Sequence, residues 1–522
     1  MAIKFRQLWL TSVSAGALGV ALASHALADD FVVDTPVTST QTVDGDDTLT
    51  ITEDGSITTT GNSEHGVEST GDDNTIINDG SIFTSGDSAP GIRNTGANTT
   101  ITNRGEILTT GGGGFSASVG ITNSGYKVTI TNGGLIHTAG RGISNTGDRT
   151  VIRNSGTIQS DNESGIFNSG ADAVISNDGT ILTSGLFSLG IDNSGDRAVI
   201  NNNGSLRSSF GVANFGDEAV ITNNGTILAF VGIYNDNASA EIFNHGLIEV
   251  NQIGGAAIYN QSLLSEDVKI SNSGDILTLF DASHGVFNQD STGVRVFNAG
   301  TIRTSGTRSH GILNQNSYGT NIVNSGSIRT TGDSSHGFYT LPTSLPSSTG
   351  VTFTNTGTIR VSGENANAIY NFFGANGFTL SNDGVIISEM GQAIRTSSSG
   401  TVVNLNAPGF LGGEIFFGST TTLNITTGAS HSVLWQLTDA SVLDGGAPNV
   451  SGPVPWFYDA ATGQFATFDP TGLTASFNQL ADTSNTLARV GRYGLGRARA
   501  SGGAGGTPDA LLAYDDSGEA AE

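Results

Sequence analysis

One short motif recurs along most of the chain, and it restricts the possible folds more than any other feature. It reads Ile-x-Asn-x-Gly-x-Ile, sometimes with Val, Phe or Leu in place of Ile, and it returns every 21 to 31 residues. A second motif, Gly-Ile-x-Asn, lies between successive copies, as at Gly165-Ile166 and Gly190-Ile191. A period of this length is typical of solenoid proteins, in which each unit contacts only its neighbours.

Each repeat unit contains three short segments in which Ile, Val and Thr alternate with polar residues. Such alternation predicts β-strands, and the Asn and Gly residues between the segments predict tight turns. Three strands per unit and a near-constant period indicate an all-β fold, a right-handed parallel β-helix of about 14 coils. Successive coils of such a solenoid are hydrogen-bonded to one another about 4.8 Å apart.

The repetition has a physical reason. One coil buries about three large aliphatic side chains, which contribute roughly 2 kcal/mol each. Ordering each residue of that coil costs about 1 kcal/mol or more, so a single coil is unstable until its neighbours cover it. We expect the Ile residues to form the core and the Asn residues of the first motif to form a ladder of amide hydrogen bonds. The predicted ladder consists of Asn154, Asn177, Asn202, Asn223, Asn244, Asn272, Asn298 and Asn324.

Composition excludes several classes of protein. The 522 residues carry a net charge of −26, and nucleic-acid binding would require clustered Lys and Arg instead. The absence of cysteine excludes disulfides, Cys-based zinc sites and a thiol nucleophile. After the N-terminal segment no apolar stretch is long enough for a transmembrane helix. We expect no cofactor.

The N-terminus predicts export. Lys4 and Arg6 precede an apolar run rich in small residues, and Ala26-Leu27-Ala28 fits a signal-peptidase cleavage site. Residues 1–28 are therefore assigned to a signal peptide. Residues 29–50 are expected to cap the solenoid, and residues 51–400 carry the repeats.

The repeats fade after residue 400. Residues 401–468 are expected to form a C-terminal β cap, because they remain strand-like and contain Trp435 and Trp456. Residues 469–493 predict a short amphipathic helix that resembles a linker. The remaining segment, 494–522, is rich in Ala and Gly and is expected to be disordered.

The order of these segments resembles a bacterial autotransporter, a type V secretion protein. The likeness rests on the signal peptide, the cysteine-free solenoid, the Trp-bearing cap and the stretch "FDPTGLTASFNQLADTSNTLARV", and it covers roughly residues 1–490. In that family a β-helical passenger is followed by a linker helix and an outer-membrane β-barrel. The residues after the helix are too few for such a barrel. We therefore expect this chain to lack the barrel, either as a truncated product or as one released without an anchor.

The resemblance implies a secreted or surface-displayed passenger that acts as an adhesin or a self-association rod, in the manner of virulence factors. The implied partners are a host or bacterial cell-surface protein or glycan, or further copies of the chain. The implied location is the cell surface, the outer membrane or the extracellular medium. Two alternatives stay open, namely a polysaccharide-acting β-helix enzyme and an inert structural stalk.

Catalytic residues are not expected. Gly86-Asp87-Ser88 and Gly332-Asp333-Ser334 match the nucleophile motif of protease-like autotransporters, but both fall where other repeats have turns. A glycan-cleaving enzyme needs paired carboxylates on one face. The outward column of the second strand contains a single acid among Phe83, Leu108, His137, Gln159, Leu182, Arg207, Leu228, Glu249, Leu277, Arg303, Arg329 and Arg360.

Two side-chain columns remain as candidate sites. His284, His310 and His336 precede the Gly of the second motif in consecutive repeats, which suggests either a metal or pH-sensitive column or a favoured corner residue. The x position of the second motif should point outward and is apolar in the C-terminal half. It forms a predicted binding face of Tyr234, Tyr259, Phe287, Leu313, Tyr339 and Tyr370.

Overall fold

The computed structural model describes residues 30–112, 118–261, 267–342, 349–429 and 432–468. These residues form a parallel β-solenoid of about 16 turns. Each regular turn contributes one strand to each of three faces, and every strand pairs in parallel with its counterpart one turn away. The predicted all-β solenoid is confirmed, with about two more turns than the 14 expected. Its right-handedness stays a prediction.

The first face is an 18-stranded sheet. Its strands are Asp30–Val33, Thr48–Ile51, Thr75–Asn78, Thr100–Asn103, Thr129–Asn132, Val151–Asn154, Val174–Asn177, Val199–Asn202, Val220–Asn223, Glu241–Asn244, Lys269–Asn272, Arg295–Asn298, Asn321–Asn324, Thr352–Asn355, Thr379–Asn382, Thr401–Asn406, Thr421–Thr426 and Asn449–Ser451. Most of them end on the Asn of the first motif.

The second and third faces follow in each turn and merge at the long strand Val385–Thr396, which pairs with both. The second face contains Pro36–Val37, Ser56–Thr59, Ser81–Thr84, Glu106–Thr109, Leu135–Thr138, Thr157–Ser160, Thr180–Thr183, Ser205–Arg207, Thr226–Ala229, Leu247–Val250, Asp275–Thr278, Thr301–Thr304, Ser327–Thr330 and Thr358–Val361. The third face contains Gln41–Val43, Val67–Ser69, Ile92–Asn94, Ile121–Asn123, Ile143–Asn145, Ile166–Asn168, Leu189–Asn193, Phe210–Asn214, Val231–Asn235, Ala256–Gln261, His284–Gln289, Ile312–Gln315, Phe338–Leu341 and Ile369–Asn371.

Alternation along each strand builds the core. In the strand Val199–Asn202 the second and fourth residues are buried, while the first and third are partly exposed. Stacking repeats this pattern in register, so that Ile175, Ile200 and Ile221 lie above one another with at most 1% exposure. The core is therefore a set of aliphatic columns that run the length of the solenoid.

Two ladders of buried asparagine run beside these columns. In the first ladder each Nδ2 donates to the Oδ1 of the next coil at 2.7–2.8 Å, from Asn78 without interruption to Asn382. The structure thus places all eight asparagines of the predicted ladder in one hydrogen-bonded chain. The second ladder runs on the third face from Asn94 to Asn314 at 2.6–2.8 Å. Sequence reasoning did not predict it, although the Asn of the second motif marks it.

The coil extends beyond the 51–400 range at both ends. Asp30–Val33 already pairs with the next coil, and Thr401–Asn406 and Thr421–Thr426 continue the first face. The two C-terminal strands keep the alternation of buried and exposed residues, whereas in Asp30–Val33 only Val33 is buried. All three lack the Asn-x-Gly motif, which explains why the sequence suggested caps there. The strands Phe410–Phe417 and Leu434–Thr438 continue the merged face.

An antiparallel hairpin closes the C-terminal end. Trp456–Asp459 pairs with Gln464–Thr467, which in turn pairs with Leu434–Thr438. Trp435 lies in the core at 5% exposure, whereas Trp456 is half exposed. The short 3₁₀ segments Ala440–Val442 and Asp444–Gly446 precede the hairpin.

The signal peptide, the predicted helix at 469–493 and the tail at 494–522 lie outside the described residues. Within the described part of the chain, no helix has the length and apolarity needed to cross a membrane.

Close contact between coils explains the invariant turn glycine of the first motif. A Cβ at Gly134 would lie 2.0 Å from the carbonyl oxygen of Gly105 in the preceding coil. Its neighbour Gly133 has only Ser155 Oγ and Asn103 O nearby, at 3.6 and 3.8 Å. The two adjacent glycines therefore differ in how closely the neighbouring coils would approach an added Cβ.

We predict that Gly134→Ala lowers the free energy of unfolding by about 2–4 kcal/mol, because the coils must separate to admit the methyl group. The matched change Gly133→Ala should leave it unchanged or raise it by about 0.5 kcal/mol, since it restricts only the unfolded chain. Urea unfolding followed by circular dichroism measures both. Equal losses for the two variants would contradict the steric explanation.

We also predict that Asn202→Ala costs about 2–4 kcal/mol, because Asn177 Nδ2 loses its ladder acceptor and the buried Asn223 Oδ1 loses its ladder donor. Asn201, its neighbour on the same strand, is partly exposed. Asn201→Ala should change the free energy of unfolding by less than about 0.5 kcal/mol. The same urea titration compares the two variants. Small losses in the free energy of unfolding for both would show that the ladder does not stabilise the fold.

Candidate functional site

The predicted binding face forms one continuous column on the third face. Tyr234 pairs in register with Tyr259, and Phe287, Leu313, Tyr339 and Tyr370 follow one coil at a time. Five of the six side chains are partly exposed, but Leu313 is buried at 5% exposure. The prediction that Leu313 belongs to an open surface is therefore wrong. Its side chain is too short to reach past the larger rings on the neighbouring coils.

The C-terminal half of the column is a packed cluster. The rings of Tyr339 and Tyr370 stack 5.0 Å apart, and Phe372 packs edge-on against both. The guanidinium of Arg395 lies 5.2 Å from the centre of the Tyr370 ring. These side chains cover much of one another's apolar surface, so little of that surface is free to contact a ligand.

The three histidines stack beneath this cluster. Successive imidazole rings lie 5.1 and 5.0 Å apart and are parallel within 4°. Each Nδ1 accepts a hydrogen bond from the backbone N–H of the next coil, at 3.2 Å for His284, 3.0 Å for His310 and 2.9 Å for His336. An Nδ1 that accepts a hydrogen bond carries no hydrogen itself, so the ring is the neutral tautomer with its hydrogen on Nε2.

Burial lowers the pKa of all three imidazoles, to about 4 for His284 and about 3 for His336, where Arg395 adds to the effect. The pKa of His310 is also lowered, by burial and by its two histidine neighbours. Among the described residues no group of three His, Cys, Asp or Glu side chains converges on a metal-binding geometry. The arrangement serves best as a structural stack that must stay uncharged.

The N-terminal half of the column opens into an apolar groove of about 540 Å³. Ala213, a small and fully buried residue of the same column, borders the groove, and Tyr234 and Tyr259 line it on the C-terminal side. The full lining is Leu189, Phe210, Ala213, Phe215, Phe230, Val231, Tyr234, Gly254, Gly255, Ala256, Tyr259, Gln261 and Phe287. We call this site the aromatic groove.

Ring orientation changes at the aromatic groove. Tyr259 and Phe287 stack in parallel, with their centres 4.7 Å apart and planes within 5°. Tyr234 instead stands at 70° to Tyr259 and at 76° to Phe210. Because its ring crosses the stack, the walls of the groove meet at steep angles and a ligand there meets both edges and faces of aromatic rings.

Polar groups hold the two tyrosines of the groove. Tyr234 Oη donates to Asp236 Oδ2 at 3.2 Å, and Tyr259 Oη lies 2.6 and 2.7 Å from Gln261 Oε1 and Gln289 Oε1. Burial, assisted by nearby carboxylates, raises the pKa of Tyr234 and raises that of Tyr259 to about 12. Both hydroxyls are therefore neutral and fixed in direction at physiological pH.

Asp192 lies one coil from Ala213 and in register with it, outside the lining of the groove. Burial raises the pKa of its carboxyl to about 6, although Arg141 and a hydrogen bond from Ser164 oppose the shift. A carboxyl that keeps its proton near pH 6 can donate as well as accept hydrogen bonds.

The motifs that resemble a serine nucleophile are turn residues. Ser88 and Ser334 both have a left-handed backbone, with φ of 53° and 54°, and Ala282 and Arg308 occupy the same corner with similar values. Asp333 Oδ1 accepts a hydrogen bond from the backbone of Glu364 in the next coil. The turn thus accounts for the motif without any catalytic role.

Sequence reasoning missed three rings of the aromatic groove, Phe210, Phe215 and Phe230. They lie at strand ends and corners, outside the x position of the second motif. It also missed an exposed apolar ridge at the corner between the second and third faces. This corner ridge consists of Leu186 at 90% exposure, Phe187 at 83%, Ile253 at 68%, Leu279 at 48% and Phe280 at 40%.

Comparison of the chain with protein-family models, with curated proteins and with solved structures found no match. The resemblance to autotransporter passengers therefore rests on the sequence features quoted above.

We predict that acid weakens the solenoid through the histidine stack. Each ring has a lower pKa when folded than the ordinary value of 6.5. Its stabilising contribution is therefore complete above pH 6.5 and is lost as the pH falls towards the folded values, at about 1.4 kcal/mol per pH unit for each histidine. Urea unfolding at pH 7.5 and pH 5.0 measures the loss.

The chain supplies a matched control at the next position of the same column. Asn367 Oδ1 accepts the backbone N–H of Gln392 at 2.9 Å, as the histidines accept theirs. His310→Asn keeps an acceptor but cannot be protonated, so it should reduce the loss between pH 7.5 and 5.0 by about 2 kcal/mol. An unchanged pH dependence in this variant would show that the stack does not sense acid.

Proposed function

We propose that this protein is an exported, non-enzymatic binding rod, similar to an autotransporter passenger, that attaches to cell-surface molecules through the aromatic groove. The observation that carries the proposal is the groove itself. An apolar concave site of about 540 Å³, lined by aromatic rings and a few fixed polar atoms, has the form of a ligand site. The solenoid supports the groove on stacked strands, which keeps its rings in place before a ligand arrives.

Export and surface location belong to the same proposal. Their support is the signal-like N-terminal sequence and the absence of cysteine, both of which suit a chain that crosses the inner membrane unfolded and without crosslinks. The net charge of −26 also suits a solvated surface protein and disfavours a nucleic-acid partner.

Side-by-side association of rods is a second candidate function, and the corner ridge favours it. Ile253, Leu279 and Phe280 lie at this corner on two neighbouring turns at 40–68% exposure. Leu186 and Phe187 lie at the same corner three turns away at 83–90% exposure, and exposed apolar side chains of this size often mark protein contacts. The ridge lies beside the aromatic groove, because Ile253 directly precedes the groove residues Gly254 and Gly255. The two surfaces differ in shape, since one is concave and the other projects.

We predict that the double change Tyr234→Ser and Phe215→Ser reduces attachment of the purified protein to bacterial or host cells at least tenfold, because both rings line the groove. Phe373→Ser is the matched control, as this ring is 75% exposed but lies outside the groove. Labelled protein and a cell-binding assay give the measurement. Wild-type protein that binds no cells, or equal binding by the groove variant, would refute the adhesive role.

Sedimentation distinguishes the second candidate in the same preparation. If rods associate through the corner ridge, Leu186→Ser with Phe187→Ser should shift wild-type oligomers to monomers and leave cell binding intact. Monomeric wild-type protein at all concentrations would remove this candidate.

A further inference from the structure

We propose that the aromatic groove is a carbohydrate site that takes an uncharged oligosaccharide. This inference rests on the proposed function and names the ligand class for the same site. It excludes polyanionic ligands and assigns the groove to a sugar chain with flat C–H faces and free hydroxyl groups.

Charge around the groove carries the first step. None of the residues that line it is acidic or basic, and the carboxylate of Asp236 lies beside it, where it holds Tyr234. Burial lowers the pKa of the neighbouring His284 to about 4, so this imidazole brings no positive charge. Uronates, sulfated glycans and phosphate groups would bring negative charge next to that carboxylate with no cation to meet it. An anionic ligand is therefore disfavoured on this face.

The pairing of apolar rings with fixed hydroxyls carries the second step. A pyranose ring has an apolar C–H face and a polar rim, and tyrosine offers the complementary combination of an apolar ring and a hydroxyl. Tyr234 Oη is held by Asp236, and Tyr259 Oη is held between Gln261 and Gln289. The single hydrogen of Tyr234 Oη goes to Asp236 and that of Tyr259 Oη goes to one of the two glutamines, so each phenolic oxygen can still accept a hydrogen bond from a sugar hydroxyl.

The exposure of the rings carries the third step. Ala213 is fully buried, and Phe210 and Phe215 pack against Tyr234, so a ligand would meet these rings and not the alanine. Phe215 is 41% exposed, and Tyr234 and Tyr259 are partly exposed. A sugar ring would therefore lie against these three side chains.

The second face provides an internal comparison. Arg303, Arg329 and Arg360 lie in register on consecutive coils and are exposed, and Arg360 is paired with Glu389. An anionic glycan needs positively charged side chains to bind this acidic chain, and these three arginines offer them. Binding of neutral and of anionic sugars should therefore respond to different substitutions.

The test uses the purified full chain and a panel of neutral hexose oligosaccharides, with maltohexaose, cellohexaose and laminarihexaose as probes and polygalacturonate and heparin as anionic comparators. Titration calorimetry and a glycan array measure binding. We expect binding of at least one neutral probe, weakened about tenfold by Phe215→Ala and roughly three- to tenfold by Tyr259→Phe. The control variants Tyr370→Phe and Phe373→Ala alter aromatic residues outside the groove and should bind as wild type does.

Several outcomes would overturn the inference. No binding of any neutral probe at millimolar concentration, or neutral binding that ignores Phe215→Ala, rejects the carbohydrate site. Binding confined to the anionic probes and removed by Arg303→Gln with Arg329→Gln moves the sugar site to the second face.

Thermal unfolding of Tyr259→Phe and Phe215→Ala is the folding control. An unchanged unfolding temperature shows that any loss of binding is not a loss of fold.

The same experiment separates this inference from the proposed function. If cells bind through the groove and no sugar does, adhesion stands and its ligand is a protein. If neither cells nor sugars bind, both proposals fall. Release of reducing ends from a bound oligosaccharide, abolished by Asp192→Asn, would replace the non-enzymatic role with the polysaccharide-cleaving alternative.

Discussion

The buried amide ladders are the interaction on which the rest of the structure depends. An asparagine inside an apolar core must satisfy two donor hydrogens and an acceptor, and an isolated one would destabilise the fold. Here each Nδ2 donates to the Oδ1 of the next coil and lies near the carbonyl of the turn glycine, as Asn94 does with Asn123 and Gly96. The requirement is met only when every coil presents its asparagine at the same height and angle. The ladders therefore fix the register of the coils from Asn78 to Asn382.

Register has a consequence for the surface. Once the inward columns are aligned, each outward position also becomes a column, and residues about one repeat apart in the sequence become neighbours in space. Tyr259 and Phe287 stack in parallel for this reason, and so do the three histidines. Surface features of such a protein are built along the axis. A single small residue, such as Ala213 among larger side chains, is covered by its neighbours, and the rings of Phe210 and Phe215 pack against Tyr234 on the next coil.

The sequence allowed the columns to be predicted but not how they fill space. Periodicity alone was enough to place the Ile core, the first Asn ladder and the outward position of Tyr234 and its successors, because these follow from alternation and repeat length. It could not show that Leu313 would be buried by longer neighbours, since that depends on side-chain length across coils. Phe210, Phe215 and Phe230 were missed because they lie off the repeated position, where the chain turns. The terminal coils were missed because their strands lack the motif that marks the others.

The two halves of the aromatic column have different physical roles, because one is closely packed and the other opens into the aromatic groove. In the C-terminal half the rings of Tyr339 and Tyr370 pack on His310 and His336, and this cluster excludes water so well that the imidazoles remain neutral. Such packing leaves little free apolar surface, although Tyr339 and Tyr370 stay partly exposed.

In the N-terminal half the same face opens into the aromatic groove, and its two tyrosines are anchored by hydroxyl contacts to Asp236, Gln261 and Gln289. A groove whose walls are already ordered loses little conformational entropy when a ligand binds, so even a ligand held by a few stacking contacts and hydrogen bonds can bind with useful affinity. The hydroxyl contacts of Tyr234 and Tyr259, with the stacking of Tyr259 on Phe287, thus provide the preorganisation that makes the open half suitable for binding.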